Sequence, residues 1–163
     1  IFGITNQVIL KKNLYNIIPE FFSNTADLYR AIKILPDDLD LYESADGKNK
    51  SRTNSLRRVA RNFGLDYNTG NKSLILKLCK KLMSIQLNNL YLTINKIFSK
   101  NSFFSKTTPI ILCGIGKNII KFDKQKYNFI NFEDLLHVNS KKNIYASYHA
   151  PATSCALLIS ELK

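Results

Sequence analysis

The chain has 163 residues, 45% of them hydrophobic, with a formal net charge of +12 and a pI near 9.7. This is enough apolar material to bury a core as one domain, and no uninterrupted apolar run approaches the ~18–20 residues of a membrane span. The basic balance raises nucleic acid as a partner, but lysine is spread from Lys11 to Lys163 among abundant Asn and Ile, and no aromatics alternate with it as strand-stacking binders require.

The chain opens Ile-Phe-Gly, with neither a basic leader segment nor a methionine, which reads as a piece of a longer cytoplasmic protein. Cys79, Cys113 and Cys155 are odd in number, far apart and set in apolar surroundings, the pattern of buried thiols in a reducing compartment. His137 and His149 show no metal-ligand spacing, so zinc is not expected. His149 reads as a packing or capping residue.

In chain order, residues 1–10 read as a strand, Lys11-Lys12-Asn13 as a turn and Leu14–Ile18 as a second strand, together a hairpin. Pro19 suits a helix start, and a helix is predicted from about Glu20 to Ile34, ended by Pro36. Phe22, Ala26, Tyr29 and Ile32 supply its apolar side. Within it Asp27 and Arg30 are spaced i, i+3 and can pair on the surface. Residues 36–50 lack periodicity and run from acidic to basic.

Ser51 can cap the next helix, which runs to Phe63, with Gly64 in the left-handed position after it. Leu56, Val59, Ala60 and Phe63 form its buried stripe, leaving Arg57, Arg58 and Arg61 on the other sides. The longest helix spans about 72–99, roughly 40 Å at 1.5 Å per residue. Residues 109–113 read as a buried strand of the parallel type, turning at Gly114-Ile-Gly116 into a helix over 117–122. A strand at 127–130, a short helix at 132–138 and a closing helix at 150–162 follow. The expected class is a single mixed α/β domain.

Two stretches carry candidate chemistry. The strand–Gly-x-Gly–helix turn lets backbone N–H groups approach a phosphate, with Lys117 in the first helical turn. The stretch S-A-D-G-K-N-K-S at 44–51 sets Asp46 and Gly47 between lysines: the carboxylate can act as base or metal ligand, and Lys48 and Lys50 can hold phosphate oxygens. A solvated loop or an ordinary tight turn has the same appearance.

Five ordered stretches, F-F-S-N-T-A-D-L-Y-R (21–30), S-A-D-G-K-N-K-S (44–51), R-R-V-A-R (57–61), C-G-I-G-K-N-I-I (113–120) and H-A-P-A (149–152), resemble the later half of a known family. It is the hydantoinase/oxoprolinase-related family of the tetrahydromethanopterin-linked one-carbon pathway. The chain departs from the family pattern at Lys48, Asn49 and His149, where arginine, glycine and cysteine are usual.

The resemblance implies an actin/sugar-kinase-like (ribonuclease-H-like, ASKHA) fold, of which this chain is the C-terminal part, the N-terminal phosphate loops lying upstream. It also implies a transferase of methanofuran or methylofuran biosynthesis, which joins γ-glutamyltyramine to an aminomethylfuran diphosphate and releases diphosphate. On that reading Asp27 and Asp46 are catalytic, or hold Mg²⁺, the cofactor the resemblance admits. Arg30, Gly47, Lys48, Lys50, Ser51, Arg58, Gly114, Gly116 and Lys117 bind substrate or diphosphate. The partners are small molecules, with neither membrane nor nucleic acid expected and a homo-oligomer left open. The alternatives are a non-catalytic or nucleic-acid-binding basic domain, and an ATP-using oxoprolinase-like hydrolase.

Overall fold

The computed structural model describes residues 1–35, 39–105, 107–120, 127–136 and 143–161. The chain is mixed α/β and divides into two compact units, Ile1–Thr93 and Ile94–Lys163. Among the described residues no helix is long and apolar enough to cross a membrane.

Unit 1 opens with the expected hairpin in shorter form. β1 (Gln7–Leu10) and β2 (Asn13–Asn16) pair antiparallel, Gln7 opposite Asn16 and Leu10 opposite Asn13. Lys11 turns the chain at φ 58°. Val8 is the fully buried residue of β1, and Ile18 N–H donates to the Asn62 carbonyl at 2.8 Å, which fastens the chain beyond the hairpin to α2.

The first helix is a correction. α1 covers only Thr25–Ala31, because Asn24 caps it: Asn24 Oδ1 accepts from Asp27 N–H at 2.9 Å, and Asp27 Oδ2 accepts from Asn24 N–H at 3.4 Å. Residues 19–24 therefore lie outside the helix, and Pro19 does not start one. Pro36, expected to end it, lies outside the described residues.

α2 (Arg52–Asn62) follows the prediction closely. Ser51 Oγ accepts from Asn54 N–H at 3.3 Å, and Gly64 takes the left-handed conformation at φ 65°, which spares any Cβ the clash that conformation brings. Leu56, Val59 and Ala60 are buried as expected, as are Leu28 and Ala31 of α1, the helix packed against α2.

α3 (Lys72–Lys100) contributes Ile75, Leu78, Cys79 and Leu82 as its buried stripe. The division between units falls within its length. Tyr29 of α1 donates a hydrogen bond to Gln86 of α3, and burial pushes the Tyr29 phenol up to about 12.

In unit 2, β3 (Ile110–Leu112) and β4 (Phe129–Asn131) pair in parallel, Ile110 with Phe129 and Leu112 with Asn131. The expected buried strand is covered on one side only: Leu112 is buried while Ile111 is exposed. A short α4 (Lys117–Ile120) follows the Gly114–Gly116 turn, and a 3-10 turn occupies Phe132–Leu135. The far ends of the helices predicted over 117–122 and 132–138 lie outside the described residues. α5 (Asn143–Tyr148) and α6 (Ala150–Glu161) close the chain as described. The cysteine expectation holds for Cys79 and is corrected for Cys113 and Cys155, which are exposed because their apolar neighbours leave them uncovered.

Candidate functional site

Three of the five motif stretches meet in unit 1. Asp27 sits at the third position of α1, where the capping box fixes it against the helix start. Arg30 follows one turn later. Arg58 comes from the middle of α2, and the 39–51 segment brings Asp40 and Asp46. Asp27, Arg30 and Arg58 are 2%, 3% and 1% exposed. This overturns two expectations: the Asp27–Arg30 pair is not on the surface, and Arg58 does not project into solvent.

The reason is a second buried face on α2. Ser55, Arg58 and Asn62, spaced i, i+3, i+7, are all buried beside the apolar stripe. Ser23 Oγ donates to Asn62 Oδ1, and the Asn62 amide donates to the Glu20 carbonyl at 3.1 Å, anchoring the chain that leads into α1.

Arg58 is the centre of the arrangement. Its Nη2 donates to Asp27 Oδ1 at 2.6 Å and its Nε to both Asp27 oxygens at 3.0 and 3.1 Å. Its Nη1 donates to Asp46 Oδ1 at 2.9 Å and to the Asn49 carbonyl at 3.5 Å. Ser55 Oγ donates to Asp27 Oδ1 at 2.8 Å and accepts from Arg30 Nη1 at 3.2 Å. Arg30 Nη1 also reaches Asp27 Oδ1 at 3.4 Å, while Nη2 donates to Asp40 Oδ2 at 2.7 Å. Among the buried side-chain atoms of this cluster in the described residues, Arg30 Nε is the one without a hydrogen-bond partner.

The electrostatics follow from this crowding. Burial works to lower the Arg58 pKa, but the hydrogen bonds and charges of Asp27 and Asp46 outweigh it and raise it above its ordinary value. Burial works to raise Asp46, but hydrogen bonds from Arg58 and from Lys48 N–H outweigh it and hold the carboxyl below its ordinary value.

The clasp shapes the loop above it. Gly47 turns at φ 66°, and its N–H donates to the Ser44 carbonyl at 3.1 Å. Lys50 Nζ donates to the Asp40 carbonyl at 2.6 Å. Leu41, Glu43, Ser44, Gly47, Lys48, Asn49 and Lys50 line an open depression of about 330 Å³, so one carboxylate shares it with two lysines. Lys48 is exposed there, whereas Ser51 is spent on capping α2.

The remaining two motif stretches meet in unit 2. Gly114 turns at φ 75° and its N–H donates to the Ser147 carbonyl at 2.8 Å, directly before the His149–Ala152 stretch. Lys117, 1% exposed, donates to Glu133 and, at 3.1 Å, to Ser147 Oγ; its ammonium stands 5.7 Å from the Tyr148 ring centre. Burial works to raise Glu133, but hydrogen bonding, from Lys117 first, holds it below its ordinary value. Lys117 is thus engaged within the protein, and Gly116 leaves open space where a Cβ would stand.

As they stand, Asp27 and Asp46 do not fit Mg²⁺. That ion needs open oxygen ligands at about 2.0–2.1 Å in octahedral array. Here the Arg58 guanidinium occupies the place between the two carboxylates, and Asp27 Oδ1 already accepts from four donors: Arg30, Ser55 and two nitrogens of Arg58. Among the described residues no group of three or more His, Cys, Asp or Glu is placed to hold a metal ion.

Sequence reasoning missed Ser55, Asn62, Asp40, Glu133 and Ser147. The i, i+3, i+7 row of Ser55, Arg58 and Asn62 was the available signal for a polar buried face on α2. No local pattern marks Asp40, Glu133 or Ser147, whose partners lie 10 to 30 residues away. No family model matches the chain, and no curated protein matches it.

Proposed function

We propose that this chain is part of an actin/sugar-kinase-like transferase that joins γ-glutamyltyramine to an aminomethylfuran diphosphate, and that its 44–51 loop binds the departing diphosphate. The observation that supports this reading is the convergence of the 21–30, 44–51 and 57–61 stretches on one buried ionic clasp, which holds a lysine-lined depression open to solvent. Separate surface loops with a chance likeness to a family need not meet in space.

The clasp revises the division of labour among the residues. Asp27, Arg30 and Arg58 are paired with one another and with Asp40 and Asp46, and act as positioning residues. Lys48 is the exposed cation at the depression, with Lys50 beside it on a tether to Asp40. The phenol gives up its proton to water as its oxygen forms the bond to the furan methylene carbon, the C–O bond to diphosphate breaks, and charge grows on the leaving group. Lysine ammonium groups already in place stabilise that charge without reorganising.

The test is ether formation and diphosphate release by protein expressed from its complete gene, supplied with the two substrates. Lys48→Gln is expected to lower turnover on the order of tenfold or more with the fold intact by circular dichroism. Absence of ether from the wild-type protein, or unchanged turnover in the variant, would overturn the reading.

A further inference from the structure

The face of α3 turned away from its buried stripe carries charge that the clasp does not use. Ile75, Leu78, Cys79 and Leu82 face inward, while Lys72, Lys77, Lys80 and Lys81 are exposed. All 29 residues of α3 pass without an aspartate or glutamate. Among the described residues none of these four lysines has a carboxylate partner. Lys77 and Lys80 are spaced i, i+3, and Lys77 and Lys81 i, i+4, so they repel each other on the helix surface. A counter-charge from outside would relieve that repulsion.

Lys72, Lys77 and Lys80 line an open groove of about 420 Å³ with the hydroxyl residues Thr69 and Ser73, and Leu76 is its apolar member. The groove offers cations and hydroxyl donors but no aromatic ring on which a base could stack. From Lys72 to Lys80 the helix rises roughly 12 Å at 1.5 Å per residue. One nucleic-acid strand advances about 3.4 Å per phosphate, so the row covers the phosphates of about three to four nucleotides. A membrane surface would be served by apolar anchors beside the lysines, and the groove has one leucine.

We infer that the outer face of α3 is a docking surface for a nucleic-acid phosphate backbone, read through charge and without sequence preference. The interaction is independent of the diphosphate site at Lys48, which lies on a different segment and uses different lysines.

The experiment is fluorescence anisotropy of the purified protein with a labelled 20-nucleotide oligothymidylate and a mixed-sequence duplex, across a series of KCl concentrations. Three phosphate contacts predict a log–log salt slope near −2 for the single strand and near −3 for the duplex from this face alone, added to any other contacts. The variant K72Q/K77Q/K80Q is expected to flatten the slope by about that amount and to weaken binding uniformly across sequences, with unchanged circular dichroism. K11Q/K12Q/R61Q, which removes the same charge away from α3, should retain most of the slope. Equal slopes in wild type and K72Q/K77Q/K80Q would overturn the inference. So would an equal loss in the two variants, or preferential binding of anionic phosphatidylserine vesicles over both oligonucleotides.

Discussion

Arg58 in unit 1 and Lys117 in unit 2 are both about 1% exposed, yet they are built in differently. The planar fork of Arg58 meets Asp27, Asp46, Ser55 and the Asn49 carbonyl, so one side chain joins α1, α2 and the 39–51 segment. The Lys117 ammonium is a point charge satisfied by Glu133, Ser147 and the Tyr148 ring. Their surroundings differ as well. Unit 1 buries Val8, Leu28, Leu56, Val59, Ile75 and Leu78 among others, whereas the apolar residues buried in unit 2, among those described, are Leu112 and Ala150. Similar burial of a cation therefore carries a different energetic stake: where apolar packing is dense, an unpaired charge has no water to turn to.

The largest expected effect is at Asp27. Asp27→Ala removes the carboxylate on which Arg58 and Arg30 converge, leaving them only Asp46 and Asp40, and is expected to cost about 3–5 kcal/mol, measured by urea denaturation of the purified protein. The matching change in unit 2, Glu133→Ala, should cost less, about 1.5–3 kcal/mol, because the Glu133 side chain is already 16% exposed and Ser147 still holds the ammonium. Hydrogen exchange at α1–α2 for the first variant and at α4–α5 for the second tells which unit has loosened. Equal losses from the two changes would break the comparison.

The acid limb sharpens it further. Asp46 and Glu133 both have pKa values below their ordinary values in the folded state. Each therefore contributes stability that is present above its unfolded-state pKa and is lost as pH falls through the folded-state value. Below about pH 4 the wild-type urea midpoint should fall. Asp46→Asn should flatten that fall for the clasp, and Glu133→Gln for the Lys117 site. A variant with the same acid slope as wild type would show that its carboxylate is not linked to folding.

The smallest energetic effect, and the easiest to read, concerns the thiols. Cys79 is buried in unit 1 and burial pushes its thiol up to about 12, while Cys113 and Cys155 of unit 2 are exposed. Ellman's reagent at pH 8 should label two thiols promptly and the third only when denaturant opens unit 1. Prompt labelling of all three would show that the interior around Cys79 is open.

Much of the local structure was readable because local residues decide it. Ser51 and Gly64 bracket α2 through caps that need only their neighbours. The hairpin at 7–16 follows a pattern written within a short window, and so do the strands at 110–112 and 129–131, whereas the pairing of those two strands does not. Pro19 suggests too early a start for α1, because Asn24 and Asp27, three residues apart, spell the capping box that fixes the true one. Arg58 was misplaced because an arginine opposite an apolar stripe belongs in water unless carboxylates come to meet it. Asp27 and Asp46 do so from 31 and 12 residues away, a fact of tertiary structure that no period of α2 contains. The 44–51 loop shows its charges in the sequence, but which of them face inward depends on the same long-range pairing.

That separation also bears on the order of events in folding. Closing 31 residues of chain costs conformational entropy before any pairing repays it, and a carboxylate and guanidinium give up their water only when the surfaces around them are nearly dry. The Asp27–Arg58 contact is therefore expected to close late, once α1 and α2 have packed together. An interaction absent from the folding barrier acts on escape from the native state, so the clasp governs how slowly this unit comes apart far more than how fast it forms.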